Sequence, residues 1–312
     1  MIIAESVLRS TSRVVWRAVI AIALAATLAF FALRAVPGDA LTAQLRESGA
    51  SDEVIAERRA ALGLDAPLSM QYSGFMLRLL RGDLGVSLLD GRTVAEILVE
   101  QIPETLELAT AAMLVAILLG FIMGVAAAVP NALSAPARGA IALGLSTPIF
   151  FTGPLAITIF ATWLDLLPAG GAGRFDQLVL PAALLGFHSA APIAQVVRAS
   201  LETTLNEPFI LAAEGRGLTR LSILFRHALR ASLAPAISVA GLETGFLLGG
   251  AIITETVFSR PGIGKVMVDS ALRQDYPVVQ GVVVWSAALY IGLTALGDAV
   301  AAMFDPRLRG LS

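Results

Sequence analysis

Six stretches of this sequence are long and apolar enough to cross a lipid bilayer as helices. A spanning helix needs about 20 mostly apolar residues, because each residue adds about 1.5 Å and the hydrocarbon core is about 30 Å thick. Lipid offers the backbone no hydrogen bonds, so apolar runs of this length form helices. The sequence therefore predicts an all-α integral membrane protein, a bundle of six transmembrane helices. The six runs are Val14–Leu33, Thr105–Val129, Gly139–Leu164, Leu178–Val197, Leu233–Thr254 and Val278–Met303.

The amino-acid composition agrees and excludes several other classes of protein. Of the 312 residues, 56% are hydrophobic and 15% are charged, whereas soluble domains carry about 25% charged residues. The formal net charge of -2 gives no sign of a nucleic-acid partner. The sequence has no cysteine, which excludes disulfides, cysteine-ligated metals and thiol catalysis.

The first apolar run has two interpretations, a retained anchor or a cleaved signal peptide. Arg9, Arg13 and Arg17 precede or open the run. The run is long for a signal peptide, and no clear small-residue cleavage site follows it. We therefore expect a first span that is retained.

The distribution of arginines predicts the orientation of the chain. With six spans, the N-terminus, the loops 130–138 and 198–232 and the C-terminal tail lie on one side of the membrane. Short cytoplasmic loops are rich in arginine and lysine, so this side is predicted to be cytoplasmic. The chain then divides into residues 1–35 with the first span, a periplasmic segment 36–104, and five spans in 105–312. Beyond the N-terminus, the arginines on the cytoplasmic side are Arg138, Arg198, Arg216, Arg220, Arg226, Arg230, Arg307 and Arg309.

Segment 36–104 carries the start and stop signals of short helices. We expect amphipathic helices there that gate a pore, receive a partner or simply cover the bundle. We also expect the second span to begin at Pro103, a position that tolerates proline. The signals are the cap Ser51 with Asp52 and Glu53 after it, the stop glycines Gly63 and Gly82, the apolar stretch Leu68–Leu80, and the capping-box pair Thr93 and Glu96.

The loop 198–232 predicts two short helices joined by a glycine-rich turn. Asn206 is the expected cap of the first helix, and Gly215 and Gly217 are its stop signals. Thr219 is expected to open the second helix. On physical grounds the pair is either a docking element or a hairpin on the membrane surface without a partner, since amphipathic interfacial helices are common. The apolar side of the first helix is expected to hold Phe209, Ile210 and Ala213.

Charged residues inside spans are costly and usually face the protein interior. Glu243 is the clearest case, because it lies among glycines that recur every four residues and end at Gly249, a spacing that permits close helix packing. It either lines a path for a solute or bonds to a neighbouring helix. Asp298 is expected to be structural, and Gly120 and Gly124 are expected to bring two helices together.

The sequence contains no motif for nucleotide chemistry, catalysis or metal binding. Gly262–Lys265 comes nearest to a phosphate-binding loop, but Ser259 stands where a glycine is required and Val266 where a serine or threonine is required. The two histidines are far apart, and Ser189 points away from its helix neighbour His188. We expect no cofactor, no metal and no enzymatic activity.

An ordered set of motifs connects the outer segment, the second span, the cytoplasmic loop and the end of the fifth span. They are Val36-Pro-Gly-Asp39, Leu62-Gly-Leu-Asp65, Pro67, Gln71-Tyr72, Gly82-Asp-Leu-Gly85, Ser87, Ile102-Pro-Glu-Thr-Leu-Glu-Leu108, Leu211-Ala-Ala-Glu-Gly-Arg-Gly217, Arg226-His-Ala-Leu-Arg230, Pro235, Leu247-Leu-Gly-Gly250, Glu255-Thr-Val-Phe258, Pro261-Gly262 and Asp275-Tyr-Pro277. Together they resemble the dipeptide, oligopeptide and nickel permeases of ABC importers.

The resemblance implies a bacterial inner-membrane complex that contains a second similar permease, two ATP-binding-cassette ATPases and a periplasmic solute-binding protein. ATP hydrolysis would belong to the ATPase partners. Leu211, Gly215 and Arg216 depart from the residues that are commoner in the family, so the polar contacts are expected to differ. The ATPase-coupling residues that the resemblance implies are Phe209, Ala212, Ala213, Glu214, Gly215, Arg216 and Gly217. The candidates for the translocation path are Glu243, Gly249 and Glu255.

The resemblance leaves the solute open. Peptides are the expected solute, and nickel, other chelates and oligosaccharides are alternatives. A different class of function is a proton-coupled secondary transporter that uses Glu243, Asp298 and His188, but such carriers often have internal repeats and we find none. A membrane scaffold without a transport role is the third possibility.

The predicted orientation is tested with single cysteines in this cysteine-free chain. A cysteine at Ser73 should react with an impermeant thiol reagent in intact cells, whereas a cysteine at Ser222 should react only after the cells are permeabilised. The reverse pattern would contradict the orientation.

Overall fold

The computed structural model describes residues 2–35 and 40–304, and its regular structure is helical. Within those ranges the only extended pairing is an isolated bridge between Val86 and Thr93. The prediction of an all-α fold is confirmed, whereas Val36–Asp39 and the arginines at 307 and 309 lie outside the described residues. The helices are α1 Ile2–Ala35, α2 Ala40–Glu47, α3 Asp52–Ala61, α4 Leu68–Leu80, α5 Val94–Ala128, α6 Ser134–Ser146, α7 Ile149–Ile157, α8 Phe175–Leu205, α9 Pro208–Gly215, α10 Arg220–Ile223, α11 Leu229–Val257, α12 Ile263–Leu272 and α13 Tyr276–Phe304.

The chain forms two compact units. The first unit combines the residues up to Pro103 with Pro261–Ile291, and the second combines Glu104–Arg260 with the residues from Gly292 onward. Helices α5 and α13 each begin in the first unit and end in the second.

Within the described part of the chain, five helical stretches are long and apolar enough to cross a membrane, and a bent pair of helices brings the number to as many as six. The pair joins Ser134–Ser146 to Ile149–Trp163 at an angle of 112°. The predicted span Gly139–Leu164 is therefore not a straight helix. It breaks at Thr147 and Pro148, which are both extended (ψ 130° and 146°), because a proline ring excludes the residue before it from the helical conformation. The five stretches are Trp16–Ala35, Val94–Ala128, Phe175–Leu205, Pro235–Val257 and Tyr276–Ala295.

The second span begins earlier than predicted. Helix α5 runs without interruption through Pro103, so the expectation that a helix begins at this proline is wrong. Its N-terminus is the predicted capping box, in which the Thr93 amide donates to the Glu96 carboxylate (3.2 Å) and the Glu96 amide to the Thr93 hydroxyl (3.3 Å). A proline inside a helix removes one backbone hydrogen bond but keeps a helical φ. Here the strong cap and the long apolar sequence on both sides outweigh that cost.

The predicted stop glycines of segment 36–104 act as helix ends. Gly63 and Gly82 have positive φ values of 67° and 76°, which glycine adopts without the steric cost that a side chain adds. At each end two amides bond back into the last turn, the arrangement of a Schellman motif, as in Gly82 to Leu79 (2.9 Å) and Asp83 to Arg78 (3.0 Å). The helix over Leu68–Leu80 is confirmed with its predicted bounds.

Close contacts between α5 and α8 organise the second unit. A Cβ atom added to Gly120 would lie 2.8 Å from Ile193 Cγ2, and one added to Gly124 would lie 2.6 Å from Val197 Cβ. Real Cβ atoms do not approach so closely, so only glycine permits this packing. The prediction that Gly120 and Gly124 bring helices together is confirmed.

We expect Gly124→Ala to destabilise the protein by about 1–3 kcal/mol, because the added methyl group overpacks the contact with Val197. Gly139→Ala is the matched control, since Gly139 also lies in a helix but nothing lies within 4 Å of its added Cβ. The control should unfold at or above the wild-type temperature, because alanine favours helix over glycine. Thermal unfolding of the purified protein measures both variants, and equal melting temperatures would contradict the close packing.

Candidate functional site

The hairpin formed by α9 and α10, residues 208–223, occupies the loop that the sequence singled out. Helix α9 begins with Pro208 at its first position and Glu207 as its N-cap. Asn206 was the expected cap and instead closes α8, where its side-chain amide donates to the Glu202 carbonyl (2.8 Å). The prediction for Asn206 is wrong because this side chain turns back onto the helix before it.

The turn of the hairpin is held by backbone bonds. Gly217 has φ 77°, its amide donates to the Glu214 carbonyl (2.8 Å), and the Leu218 amide donates to the Ala213 carbonyl (3.3 Å). This is a Schellman motif, in which the left-handed residue is usually glycine. Gly217 therefore ends α9 as predicted and determines the direction of the chain after it.

The second arm of the hairpin continues directly into a span. The Thr219 hydroxyl accepts from the Ser222 amide (3.3 Å) and caps α10. A π-helical stretch over Leu224–Ala228 then joins α10 to α11, so helical structure runs from Arg220 to Val257. The expected separate second helix is thus the first part of a transmembrane helix. Single π turns within helices are frequent at functional sites.

The inner face of the hairpin is packed against other helices of the second unit. Ile210, Ala213 and Ile223 are buried in one cluster with Leu201 of α8 and Ala128 of α5. Ala213 is 6% exposed, so it belongs to this cluster rather than to an outward contact surface. Burial of such side chains contributes about 1.5–3 kcal/mol for each large one, and it holds α9 against α5 and α8.

The outer face of α9 is exposed and in part apolar. Leu211 is 69% exposed and Phe209 is 44% exposed. The prediction that Phe209 shares one apolar side with Ile210 and Ala213 is therefore wrong. Leu211 departs from the family motif, and its exposure makes it the most prominent apolar side chain of α9. We define the outer face as Phe209, Leu211, Ala212, Glu214, Gly215, Arg216 and Gly217, all of which are exposed.

The charge around the hairpin is largely basic. Arg216, Arg220, Arg226 and Arg230 are exposed, as are the apolar side chains Leu221 and Phe225. Exposed apolar side chains rimmed by charge are typical of a contact surface for another protein.

Glu243 is buried within the membrane-spanning part of α11. It is 8% exposed and hydrogen-bonded to the Ser189 side chain of α8. At Gly249 an added Cβ meets nothing within 4 Å, whereas at Gly250 it would lie 2.7 Å from Leu185 Cδ1. The close helix contact therefore falls at Gly250, one residue beyond the predicted glycine stripe.

A buried polar cluster surrounds the end of α11. The Thr105 hydroxyl donates to the Glu255 carboxylate (2.7 Å), and Glu255 is fully buried. Arg260 is also fully buried and forms ion pairs with Glu104, at 2.8 Å, and with Glu107. The sequence points to Glu255 but not to Arg260, because a single arginine after a span gives no periodic signal. A buried charge without a partner lowers the stability of the folded protein, so the ion pairs of Arg260 stabilise this cluster.

Two candidate residues from the sequence remain, His188 and Asp298. His188 contacts the Thr152 hydroxyl (2.9 Å) and the Gly144 carbonyl (3.1 Å), as a structural histidine does. The side chain of Asp298 lies outside the described residues. Among those that are described, no three potential ligands come together as a metal site.

Comparison with known proteins identifies the family. Residues 116–310 match the family described as the inner membrane component of binding-protein-dependent transport systems, and residues 7–109 match the N-terminal part of such membrane components. The chain belongs to this family. It is therefore a multi-pass permease of the bacterial inner membrane and a transport subunit rather than an enzyme, and it works within a system that depends on a binding protein.

Two relatives of this permease are named for dipeptide transport and for glutathione transport. The permease is 35% identical to the dipeptide transport system permease protein DppB of Escherichia coli (strain K12), over 90% of this chain and 93% of that protein. It is 34% identical to the glutathione transport system permease protein GsiC of Salmonella typhimurium, over 92% of this chain and 94% of that protein.

Solved structures show the fold. The inward-facing MetNI methionine ABC transporter matches with a TM-score of 0.54 and 18% identity, over 68% of this chain and 97% of that one. An amino acid ABC transporter crystallised with histidines matches with a TM-score of 0.53 and 17% identity, over 68% of this chain and 94% of that one. Both likenesses confirm the fold of an ABC importer permease.

Proposed function

We propose that this permease imports di- or oligopeptides, glutathione included, and that the hairpin couples it to an ATPase. The relatives named for dipeptide and glutathione transport support the solute class. The main support for the coupling role is that α9 has a buried inner face and an exposed, partly apolar outer face. The complex would contain a second permease of the same kind, two ATPases and a periplasmic binding protein.

The outer face of α9 would dock on the ATPase. Leu211 and Phe209 supply apolar area at its centre, and Arg216 supplies charge beside them. Interfaces commonly place apolar anchors at the centre and charged residues at the rim. Ala213 lies behind this face, so it would support the contact without touching the partner.

Two connections would pass movement of the docked hairpin to the membrane. The first is the cluster of Ile210 and Ala213 with Leu201 and Ala128, which ties α9 to α5 and α8. The second is the uninterrupted helix from Arg220 to Val257. Packed elements move as units rather than deforming continuously, so a displacement of the outer face would move the spans.

In this proposal the N-terminus and the hairpin face the cytoplasm, where ATP is hydrolysed, and segment 36–104 faces the periplasm. The arginines of the hairpin support this orientation through the positive-inside rule. Helices α3 and α4 of segment 36–104, which end at Gly63 and Gly82, would meet a partner outside the membrane, the binding protein.

Glu243 and Glu255 would lie in or beside the translocation path. A buried carboxylate inside a span is retained at a cost in free energy and usually has a function. Peptides carry an ammonium group, which a carboxylate attracts. The bond between Glu243 and Ser189 also suits a purely packing role, and the two roles give different results on substitution.

Substitution of Leu211 and Gly217 tests the coupling role. Leu211→Asp places a charge on the outer face, and Gly217→Val forces a β-branched residue into a left-handed turn, which costs about 1–2 kcal/mol or more. Both variants should insert in the membrane but lose dipeptide uptake and solute-stimulated ATP hydrolysis, with less ATPase recovered on co-purification. Leu133→Asp is the matched control, because Leu133 is equally exposed (64%) and lies outside the hairpin. Normal transport by Leu211→Asp would overturn the coupling role while leaving the solute class untouched.

Glu243→Gln separates the two roles of this carboxylate, since it removes the charge and nearly keeps the shape. If the carboxylate attracts the solute, uptake of labelled dipeptide falls while recovery of the assembled complex stays at the wild-type level. Parallel loss of assembly and uptake would assign Glu243 to packing.

A further inference from the structure

A cavity in the first unit is built from motifs that the transport function leaves unexplained. It has a volume of about 520 Å³ and is walled by α4, by the turn at residues 62–66, by the loop at residues 83–88, by Arg34 and by the start of α13. Four of the motifs quoted above contribute residues to its wall, namely Leu62–Asp65, Gln71-Tyr72, Gly82–Gly85 and Asp275–Pro277. Most of the other lining side chains are apolar, among them Met70, Phe75, Leu84 and Val86.

Two of the side chains that line the cavity are arginines. Arg34 and Arg78 both line it and lie close enough to repel each other. Among the residues that the structure describes, neither forms an ion pair with a carboxylate. Asp83 also lines the cavity, and its carboxylate accepts from the Gly85 amide (2.8 Å). The charged side chains of the wall therefore leave a positive excess, which an anion would balance.

Arg34 is held in place rather than extended into solvent. Its Nε donates to the Gln71 Oε1 atom (3.0 Å), and its guanidinium carbon lies 3.6 Å from the centre of the Phe30 ring. The Gln71 amide in turn donates to the carbonyls of Leu64 and Ala66 (both 2.9 Å). A guanidinium positioned by bonds and by an aromatic face is prepared to bind an anion, because little side-chain freedom is lost on binding.

A third polar side chain, Gln280, supports a ligand in this cavity. Gln280 lines the cavity and is 4% exposed, and among the described residues its Nε2 atom has no hydrogen-bond partner. A buried donor without a partner costs free energy. The Nε2 atom is itself closed to solvent, so an oxygen acceptor of a ligand would satisfy this donor once the Gln280 amide turns toward the cavity.

The position of the cavity indicates the kind of anion. Arg34 lies in the last turn of the apolar stretch Trp16–Ala35, where a spanning helix leaves the hydrocarbon core. Beside the cavity, α4 exposes the apolar side chains Met70 (67%), Leu77 (50%) and Leu80 (81%). A mostly apolar wall that also carries two arginines, one of them at the membrane boundary, suits an amphiphile with an anionic head.

We propose that this cavity binds the headgroup of an anionic phospholipid, with Arg34 and Arg78 on the phosphate, Gln280 on a headgroup oxygen and the acyl chains along Met70 and α4. A bound lipid would anchor segment 36–104 to the membrane surface beside the first span. The proposal does not depend on which solute the permease carries.

Lipid retention tests the proposal. The full-length permease, purified with its native partner subunits, is reconstituted in an equal mixture of phosphatidylglycerol and phosphatidylcholine and examined by native mass spectrometry. The wild type should retain phosphatidylglycerol preferentially, and the double variant Arg34→Gln/Arg78→Gln should lose at least about tenfold of that preference, since each arginine attracts an anionic headgroup. The matched control is Arg58→Gln/Arg81→Gln, which removes two exposed arginines of the same segment that do not line the cavity and should leave the preference unchanged.

Gln280→Leu keeps both arginines and removes the unpartnered donor. Its preference for phosphatidylglycerol tests the proposal even if the double variant fails to fold. It should lower the preference for phosphatidylglycerol by less than the double variant does. Equal retention of the two lipids by the wild type, or an unchanged preference in Gln280→Leu and the double variant, would overturn the proposal. Displacement of the lipid by soluble glycerophosphate or by dipeptide at similar concentrations would also overturn it, in favour of a site for a free anion or for the solute.

Discussion

The burial of Ile210 and Ala213 against Leu201 and Ala128 is the interaction on which the functional account depends. It determines which side of α9 packs against the spans and which side remains free. Because the same cluster contains residues of α5, α8 and the start of α11, the hairpin cannot move without them. A hairpin that only lay on a membrane surface would have no reason to bury one face so completely in protein. The exposed outer face, with Leu211 and Phe209, then follows from the helical period alone.

Local signals in the sequence predicted most of the helix ends. The capping box of Thr93 and Glu96 and the glycines at 63, 82 and 217 act through bonds between near neighbours in the chain, so their residue types are sufficient to find them. The incorrect predictions of helix ends have a different cause. Pro103 and Asn206 are ambiguous locally, and the elements on either side decide whether a helix continues through them or ends. The break at Pro148 was overlooked because the apolar run continues across it, and hydropathy is insensitive to backbone direction.

The two short helices of the hairpin were predicted at the residues where the structure has them, but the faces of the first helix were incorrectly assigned. Family motifs located α9, yet they do not say which of its side chains the spans cover. Three apolar residues at positions 209, 210 and 213 suggested one apolar side, whereas the structure buries only Ile210 and Ala213. Arg260 and Gln280 were missed for a related reason. Their environment is made by residues distant in the sequence, such as Glu104 and Glu107 for Arg260, and no periodic pattern records such contacts.

Site-specific cross-linking from the two faces of α9 tests the central claim most directly. A photoreactive amino acid is placed at position 211 or at position 213 of the permease, and the assembled importer is irradiated in its membrane. We expect an adduct with the ATPase from position 211 and none from position 213, because Leu211 faces outward and Ala213 faces the spans. No ATPase adduct from position 211, or equal adducts from both positions, would contradict the claim that the outer face of α9 docks on the ATPase.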